Sequence, residues 1–244
     1  MKVICFYWLG DRWQQDGMNY NSQDDSFRRH LKRVGNVPKE LAERYVNNLF
    51  KGVCRYAEEH FEFICFTNER LKVDPQIKVK PFPMVTTKGV IPRMWMFSQE
   101  AGLFGEQVLC LDIDVVITGS LKDIMAYRGT FCTRLGFAGV DKGKLDGDIM
   151  SFAAGPETEK IFWKPFIEDI KETERITTGR ERFWVRHVAT DIADNFDHIA
   201  PKQIFSYKAN VRGKGLPETA RIVSCHGHPR PHQIKDKWIK DYWK

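Results

Sequence analysis

A chain of 244 residues with 42% hydrophobic and 29% charged residues carries enough apolar material for one large core, which excludes intrinsic disorder. Its 38 Lys and Arg against 32 Asp and Glu give a formal net charge of +6, a weak pointer to nucleic acid that fits an anionic small ligand such as a nucleotide equally well. No apolar run approaches the roughly 20 residues needed to cross a bilayer, so no transmembrane segment is expected.

The opening stretch Val3–Leu9 is apolar, rich in β-branched and aromatic residues, and closed by Gly10-Asp11. Without a basic flank or a small-residue cleavage site it reads as a first strand, Lys2–Trp8, rather than a leader. Residues 10–36 are polar and predict a long loop with a short helix near Phe27–Val34. Pro38 and Glu40 suit the first turn of a helix, and Ala42, Tyr45, Val46, Leu49, Phe50, Val53 and Ala57 recur at three- and four-residue spacing as one buried stripe. A second strand follows at Phe61–Thr67, and this strand–helix–strand opening predicts an α/β fold with a mostly parallel sheet. Further along, the pattern predicts a strand at Gln76–Val79, a loop at Pro81–Pro92, a helix at Met94–Leu103 and a buried strand at Gln107–Asp112. Beyond Leu121 it predicts strands at Phe131–Val140 and Asp148–Ala153 and helices at Glu157–Lys171 and Arg182–Asp194. The end, Arg221–Lys244, holds one strand and then a basic, aromatic tail, read as a helix with Trp238, Tyr242 and Trp243 inward and its lysines in water. With no repeat or linker, residues 1–244 read as a single domain.

The six cysteines are scattered, with no C-x-x-C pair, and Cys5, Cys65 and Cys110 fall inside apolar runs. Buried free thiols in a reducing compartment, the cytoplasm by default, explain them better than disulfides do. Cys225, His226, His228 and His232 are close in sequence, but structural zinc needs paired ligand spacings and no second cluster closes such a site.

The chemistry-bearing run is Val108–Ile117, which contains Asp112-Ile113-Asp114. Two carboxylates at i and i+2 on an extended segment would share one side of the strand. At the carboxyl end of a buried strand they occupy the place where open α/β sheets bind ligands. Such a pair repels unless a cation neutralises it, and oxygen ligands select a hard ion. The plainer reading is a pair of strand-end acids making caps or turns.

The run VLCLDIDVVITGSL (Val108–Leu121) resembles the metal-binding segment of GT-A glycosyltransferases, especially the family 8-like nucleotide-diphospho-sugar transferases. Further segments resemble that group in its order: Tyr45–Glu69 its first helix and second strand, Pro92–Phe104 the helix before the metal motif, Gly147–Phe152 the acceptor-side strand, and Val223–His232 its C-terminal His-Gly-x-Pro-Lys-Pro element. The resemblance implies a Rossmann-like GT-A fold: a mixed, mostly parallel sheet flanked by helices, with the metal site at the carboxyl end of a central strand. Residues 1–120 would form the nucleotide-binding half and residues 121–244 the acceptor half, ending in the metal and diphosphate segment.

The implied activity is metal-dependent transfer of a sugar from a nucleoside-diphosphate sugar, UDP-linked, to an acceptor with retention; the acceptor could be a glycan, a lipid-linked sugar or a protein. Trp8, Leu9, Gly10 and Asn68 would line the base and ribose, and Arg93 the ribose or phosphates. Asp112 would serve ribose and metal, Asp114 and His226 the metal (Mn²⁺ or Mg²⁺), and Gly227 and Arg230 the diphosphate. Asp148 would face the transferred sugar.

Gly179-Arg180-Glu181 has no aspartate where many relatives carry Gly-Asp-Gln, which leaves Glu181 and Asp191 as substitutes for that acid, and Arg230 replaces the more usual lysine. Tyr207-Lys208 reads either as reaching the phosphates or as a solvated lysine. The same D-x-D run also fits haloacid dehalogenase-like phosphatases, with Asp112 as nucleophile and Asp114 as general acid; these need a later lysine, for which Lys144 is the candidate. A nucleic-acid-binding module would rest on charge and the aromatic tail alone, and none is expected.

Overall fold

Strand β1 (Lys2–Tyr7) is buried from Val3 onward. The computed structural model describes residues 1–8, 38–83 and 90–244; Leu9, Gly10 and the helix expected near Phe27–Val34 lie outside the described residues. Helix α1 (Lys39–Tyr56) begins with the Ala42 amide on the Pro38 carbonyl, and its Ala42, Tyr45, Val46, Leu49, Phe50 and Val53 form the buried stripe that the spacing predicts. The chain continues through β2 (Glu62–Thr67), β3 (Lys78–Pro81), β4 (Gln107–Leu111), β5 (Val115–Ile117), β6 (Phe131–Leu135) and β7 (Leu145–Ala153). Helices α2 (Ile170–Thr177) and α3 (Glu181–Ala189) come next, then β8 (Asp194–Asn195), β9 (Ile204–Ser206), β10 (Ile222–Ser224) and helix α4 (Lys237–Tyr242).

The large sheet runs β3-β2-β1-β4-β7-β6-β8, and a second sheet runs β5-β10-β9. Strands β1, β2, β3 and β4 are parallel, whereas β7 is antiparallel to both β4 and β6. Side chains of alternate sign build a core on each face. Ile4, Ile64, Cys110 and Phe152 meet Met94, Phe97 and Phe162 on one side, while Val3, Cys5, Phe63 and Leu109 meet Val46, Leu49 and Val53 of α1 on the other. Residues on both sides of position 120 share this sheet through the β4–β7 ladder, so it is continuous.

Several elements differ from expectation for local reasons. The segment expected as a helix at Met94–Leu103 is a 3₁₀ run, Ile91–Phe97, with a second 3₁₀ turn at Gln99–Ala101. All seven residues of the first run are buried, so it has no polar face to turn to solvent, and extended Ser98 and left-handed Gly102 stop each turn. The helix expected at Glu157–Lys171 is broken: a π-type turn, Glu159–Trp163, precedes Pro165, which lacks an N–H, and the Asp169 carboxylate starts α2 by accepting from the Glu172 amide at 2.9 Å. Strand β3 starts at Lys78 rather than Gln76 because the Gln76 amide is taken by the Asp74 carboxylate at 2.9 Å. Strand β6 ends at Leu135, where Gly136 donates to the Lys144 carbonyl at 2.8 Å and opens a loop.

All six cysteines are free, and only Cys54 is exposed. Among the described residues no helix is long and apolar enough to cross a membrane. In the tail, Ile239 and Trp243 are buried, and Trp243 meets Tyr45 edge-on at 5.1 Å.

Gly52, in the middle of α1, sets how closely that helix approaches the second sheet: a Cβ there would stand 3.1 Å from Ile117 Cβ. Gly52→Val is therefore expected to lower unfolding free energy by about 1–3 kcal/mol through overpacking, read from urea midpoints. Unchanged midpoints would mean that α1 can shift at no cost.

Candidate active site

The two aspartates do not lie on an extended strand. Asp112 follows the last residue of β4, and the Val115 amide donates to its carbonyl at 3.2 Å, so Asp112–Val115 is a tight turn from the large sheet into β5 of the small one. The turn is needed because consecutive strands belong to different sheets, and Asp tolerates such geometry. Its position is nonetheless the expected one: β1, β2 and β4 are parallel, Tyr7 registers with Thr67 and Ile4 with Cys110, so Trp8, Asn68 and Asp112 all follow the carboxyl ends of neighbouring strands. Trp8 packs edge-on against Phe82 at 5.3 Å, and Asn68 is exposed.

Backbone bonds tie two distant segments to this turn. The Asp112 amide donates to the Asp148 carbonyl at 2.9 Å, and the Cys225 amide donates to the Asp114 carbonyl at 3.3 Å. Ser224 also registers with Val115 across the β10–β5 ladder. The C-terminal His226 element therefore sits against the D-x-D turn.

Acids gathered at one edge demand cations. Arg93, 5% exposed, pairs with Asp112, reaches Glu181 Oε1 at 3.2 Å and donates from Nη2 to the Gly147 carbonyl at 3.0 Å. It props the site from beneath instead of facing outward. Gly147 is required there, since a Cβ would stand 2.8 Å from Glu181 Oε1. Asp148 is held on both oxygens: Arg134 donates to Oδ1 from Nε at 2.5 Å and to Oδ2 from Nη2 at 2.8 Å, and Ser224 Oγ donates to Oδ2 at 2.5 Å. Arg134 also lies 3.2 Å from Asp146, and Arg230 lies 3.7 Å from Asp114.

The electrostatics follow from this pairing. Burial pushes the carboxyls of Asp112 and Asp114 up, with Arg93 and Arg230 respectively opposing it. Burial likewise pushes Glu181 to about 8 against the pull of Arg93, and its Oε2 has no hydrogen-bond partner among the described residues. Asp148 suffers the same burial, yet Arg134 and Ser224 hold it below the usual carboxylate range. His226 is pushed down to about 4 by burial and by the neighbouring Lys208, so its imidazole is neutral, the form that binds metals.

His226 Nε2 lies 3.2 Å from Ser206 Oγ, and its ring is parallel to Phe137. Lys208, an exposed residue, lies beside it: Gly227, at φ 73°, leaves room for the Lys208 ammonium, 3.1 Å from where a Cβ would be. Asp191 lies in the exposed turn beyond α3, ten residues after Glu181 and, by helical rise, roughly 15 Å from it, and so does not join the cluster.

Among the described residues no three His, Cys, Asp or Glu side chains stand close enough together to form a metal-binding group. The donor chemistry still suits a hard divalent ion: a carboxylate pair whose charges burial and repulsion disfavour, and a neutral imidazole on the adjoining segment. Zinc finds no cluster, because His232 Nδ1 meets Tyr45 at 2.7 Å and His228 Nδ1 meets Gln233 at 2.9 Å. The phosphatase reading loses its lysine: Lys144 is exposed, and Arg93 is the cation on Asp112.

Sequence reasoning missed Arg134 and Ser224. The available signal was an arginine inside the apolar run Phe131–Leu135, since a strand buried on both faces carries a charge only with a partner. Arg134→Met is expected to destabilise the fold by about 3–5 kcal/mol by stranding Asp148, and Arg134→Met with Asp148→Asn to recover most of that, read by urea unfolding. Between the ordinary carboxylate value and about 8 the folded state holds a proton on Glu181 that the unfolded state has lost, so stability falls as pH rises through that window. Glu181→Gln should therefore raise the melting temperature relative to the parent at pH 8 and leave it level at pH 4; equal curves at both would sink this account.

No protein-family model matches the sequence, and no curated protein matches it. Solved structures do. The glycosyltransferase GlyE of Streptococcus pneumoniae TIGR4 superposes with a TM-score of 0.60 at 13% identity over 99% of this chain and 58% of its own. The galactosyltransferase LgtC, solved with donor and acceptor sugar analogues, gives 0.62 at 8% identity over 99% of this chain and 94% of its own. The bifunctional glycosyltransferase WbbM gives 0.55 at 8% identity over 98% of this chain and 48% of its own. At these identities the shared property is architecture, and the chain has the GT-A fold of these glycosyltransferases.

Proposed function

We propose that this chain is a glycosyltransferase that uses Mn²⁺ or Mg²⁺ to bind a UDP-sugar and passes the sugar, with retention, to a glycan, a lipid-linked sugar or a protein. The observation that carries the reading is the Asp112–Asp114 turn at the carboxyl edge of β1, β2 and β4, backed by the His226 segment bonded to Asp114. LgtC, which shares the fold, was solved with donor and acceptor sugar analogues. Residues 1–120 would then bear the donor nucleotide and residues 121–244 the acceptor. The free cysteines fit a reducing compartment, the cytoplasm.

Asp112 and Asp114 would hold the metal ion, with neutral His226 as the nitrogen ligand that tilts preference toward Mn²⁺. Bound there, the ion supplies charge for the departing diphosphate. Arg230, freed from Asp114, and Lys208 would grip the diphosphate oxygens. Trp8 and Asn68 would flank the nucleoside, joined by Leu9 and Gly10. The bond from the anomeric carbon to the diphosphate oxygen breaks as the acceptor oxygen bonds to that carbon, and the acceptor proton leaves with the diphosphate. Asp148, engaged on both oxygens by Arg134 and Ser224, is poorly placed to act as a general base, which supports retention over inversion. Its fixed negative charge would instead face the developing positive charge of the sugar.

Asp114→Asn keeps the shape and removes the charge. It should abolish Mn²⁺-dependent stabilisation by UDP in thermal-shift assays and slow transfer a few hundred-fold, equivalent to about 3–4 kcal/mol. Retained UDP binding would refute the metal assignment.

A further inference from the structure

Next to the site, one carboxylate pairs with two cations. Asp141, in the loop between β6 and β7, pairs with Arg186 Nη1 at 2.8 Å and with Arg182 Nη2 at 3.2 Å. Lys144, exposed in the same loop, adds to their field and helps to hold Asp141 below the usual carboxylate range. Cations therefore outnumber this carboxylate. Lys142, also exposed, stands in the same loop. The guanidinium groups of Arg180, Arg182 and Arg186 lie over the Phe183 ring at 5.6, 5.4 and 5.4 Å, so the cations are gathered on one platform.

The platform is held to the sheet and borders the site. Gly136 is pressed against the loop, for a Cβ there would stand 2.1 Å from the Asp141 carbonyl oxygen, and Arg186 Nε donates to the Leu145 carbonyl at 2.7 Å. Arg182 keeps 31% of its side chain exposed. Glu181, directly before it, reaches Arg93 beneath Asp112. Leu145 opens β7, which leads at once to Asp146 and Asp148. The charge of Arg182 is felt at both Asp146 and His226. At strand rise, Asp141 lies no more than ~23 Å of chain from Asp148.

We propose that this platform binds a phosphate group carried by the acceptor, a reading that rests on the glycosyltransferase assignment for its role. A phosphate monoester bears a charge of about −1.5 to −2 near neutrality, nearly twice that of a carboxylate, and so answers an excess of cations better. Guanidinium groups also match phosphate oxygens with two parallel bonds. The anchored phosphate would set which acceptor hydroxyl is presented beside Asp148. A lipid headgroup that ends in a phosphate monoester and a soluble phosphorylated sugar offer the same chemistry.

The test is an NMR titration of the full chain with glucose 6-phosphate, glucose and glucuronate. Glucose 6-phosphate should bind at least roughly ten-fold tighter than either of the others, shifting amides of Asp141–Leu145 and Arg182–Arg186. Arg182→Gln with Lys144→Gln should erase that preference, Arg182→Lys should keep part of it, and UDP–Mn²⁺ binding should be unchanged in both. Should the double variant misfold by circular dichroism, exposed Lys144→Gln alone carries the test with a loss of a few-fold. Equal binding of the three probes, shifts confined to other segments, or a preference that survives the variants would overturn the proposal. Phosphatidylcholine vesicles with and without phosphatidic acid then separate the sources: co-sedimentation dependent on phosphatidic acid and lost in the variant assigns a lipid headgroup, and its absence alongside glucose 6-phosphate binding assigns a soluble one. If the parent chain prefers phosphate but never binds UDP with Mn²⁺, the donor reading fails and this site stands; the reverse pattern removes this site alone.

Discussion

Arg134 reaches from β6 to Asp148 on β7, and Ser224 of β10 closes the far oxygen of the same carboxylate. This bond set spans both sheets, and the arrangement of the site hangs on it. Asp148 is the backbone partner of Asp112, so fixing Asp148 fixes the start of the D-x-D turn. Ser224 precedes Cys225, whose amide holds the end of that turn at Asp114. A buried carboxylate at this junction must be anionic and fully bonded or it would cost several kcal/mol. Here Arg134 supplies both the charge and the geometry.

A second constraint is that the acids are distributed among different cations instead of sharing one. Arg93 serves Asp112 and Glu181, Arg134 serves Asp146 and Asp148, and Arg230 faces Asp114. Those partners differ in depth. Arg93 and Arg134 are sealed into the core, whereas Arg230 keeps solvent contact at the rim. Of the three arginines, Arg230 is the least enclosed.

Much of the fold was legible because it rests on periodicity. The α1 stripe, the runs of β1, β2 and β4, and the carboxyl-edge position of Asp112 all follow from local pattern and parallel-sheet topology. What escaped was set by tertiary contact. The Ile91–Phe97 segment is apolar on all sides, so composition could not distinguish a 3₁₀ run from an α-helix. The turn geometry of Asp112–Asp114 follows from β5 belonging to a second sheet, and that pairing is with a strand more than a hundred residues later. Arg134 looked like a strand residue of no consequence until β7 and β10 placed Asp148 and Ser224 around it. Asp191 stands, with Glu181, as a substitute for an aspartate that the chain lacks at Gly179-Arg180-Glu181, and it lies beyond the far end of the helix that Glu181 begins.

The pairing of β5 with β10 joins Val115 to Ser224, a separation of 224 − 115 = 109 residues. During synthesis the aspartates emerge long before the segment that completes their surroundings, and until then they remain solvated and unpaired with Arg230. Closing so long a loop is an entropic cost met late, after the local β1–α1–β2 contacts have formed. A species lacking residues 222–230 would lose the central strand of the second sheet, and with it the Ser224 bond to Asp148 and the Cys225 bond to Asp114.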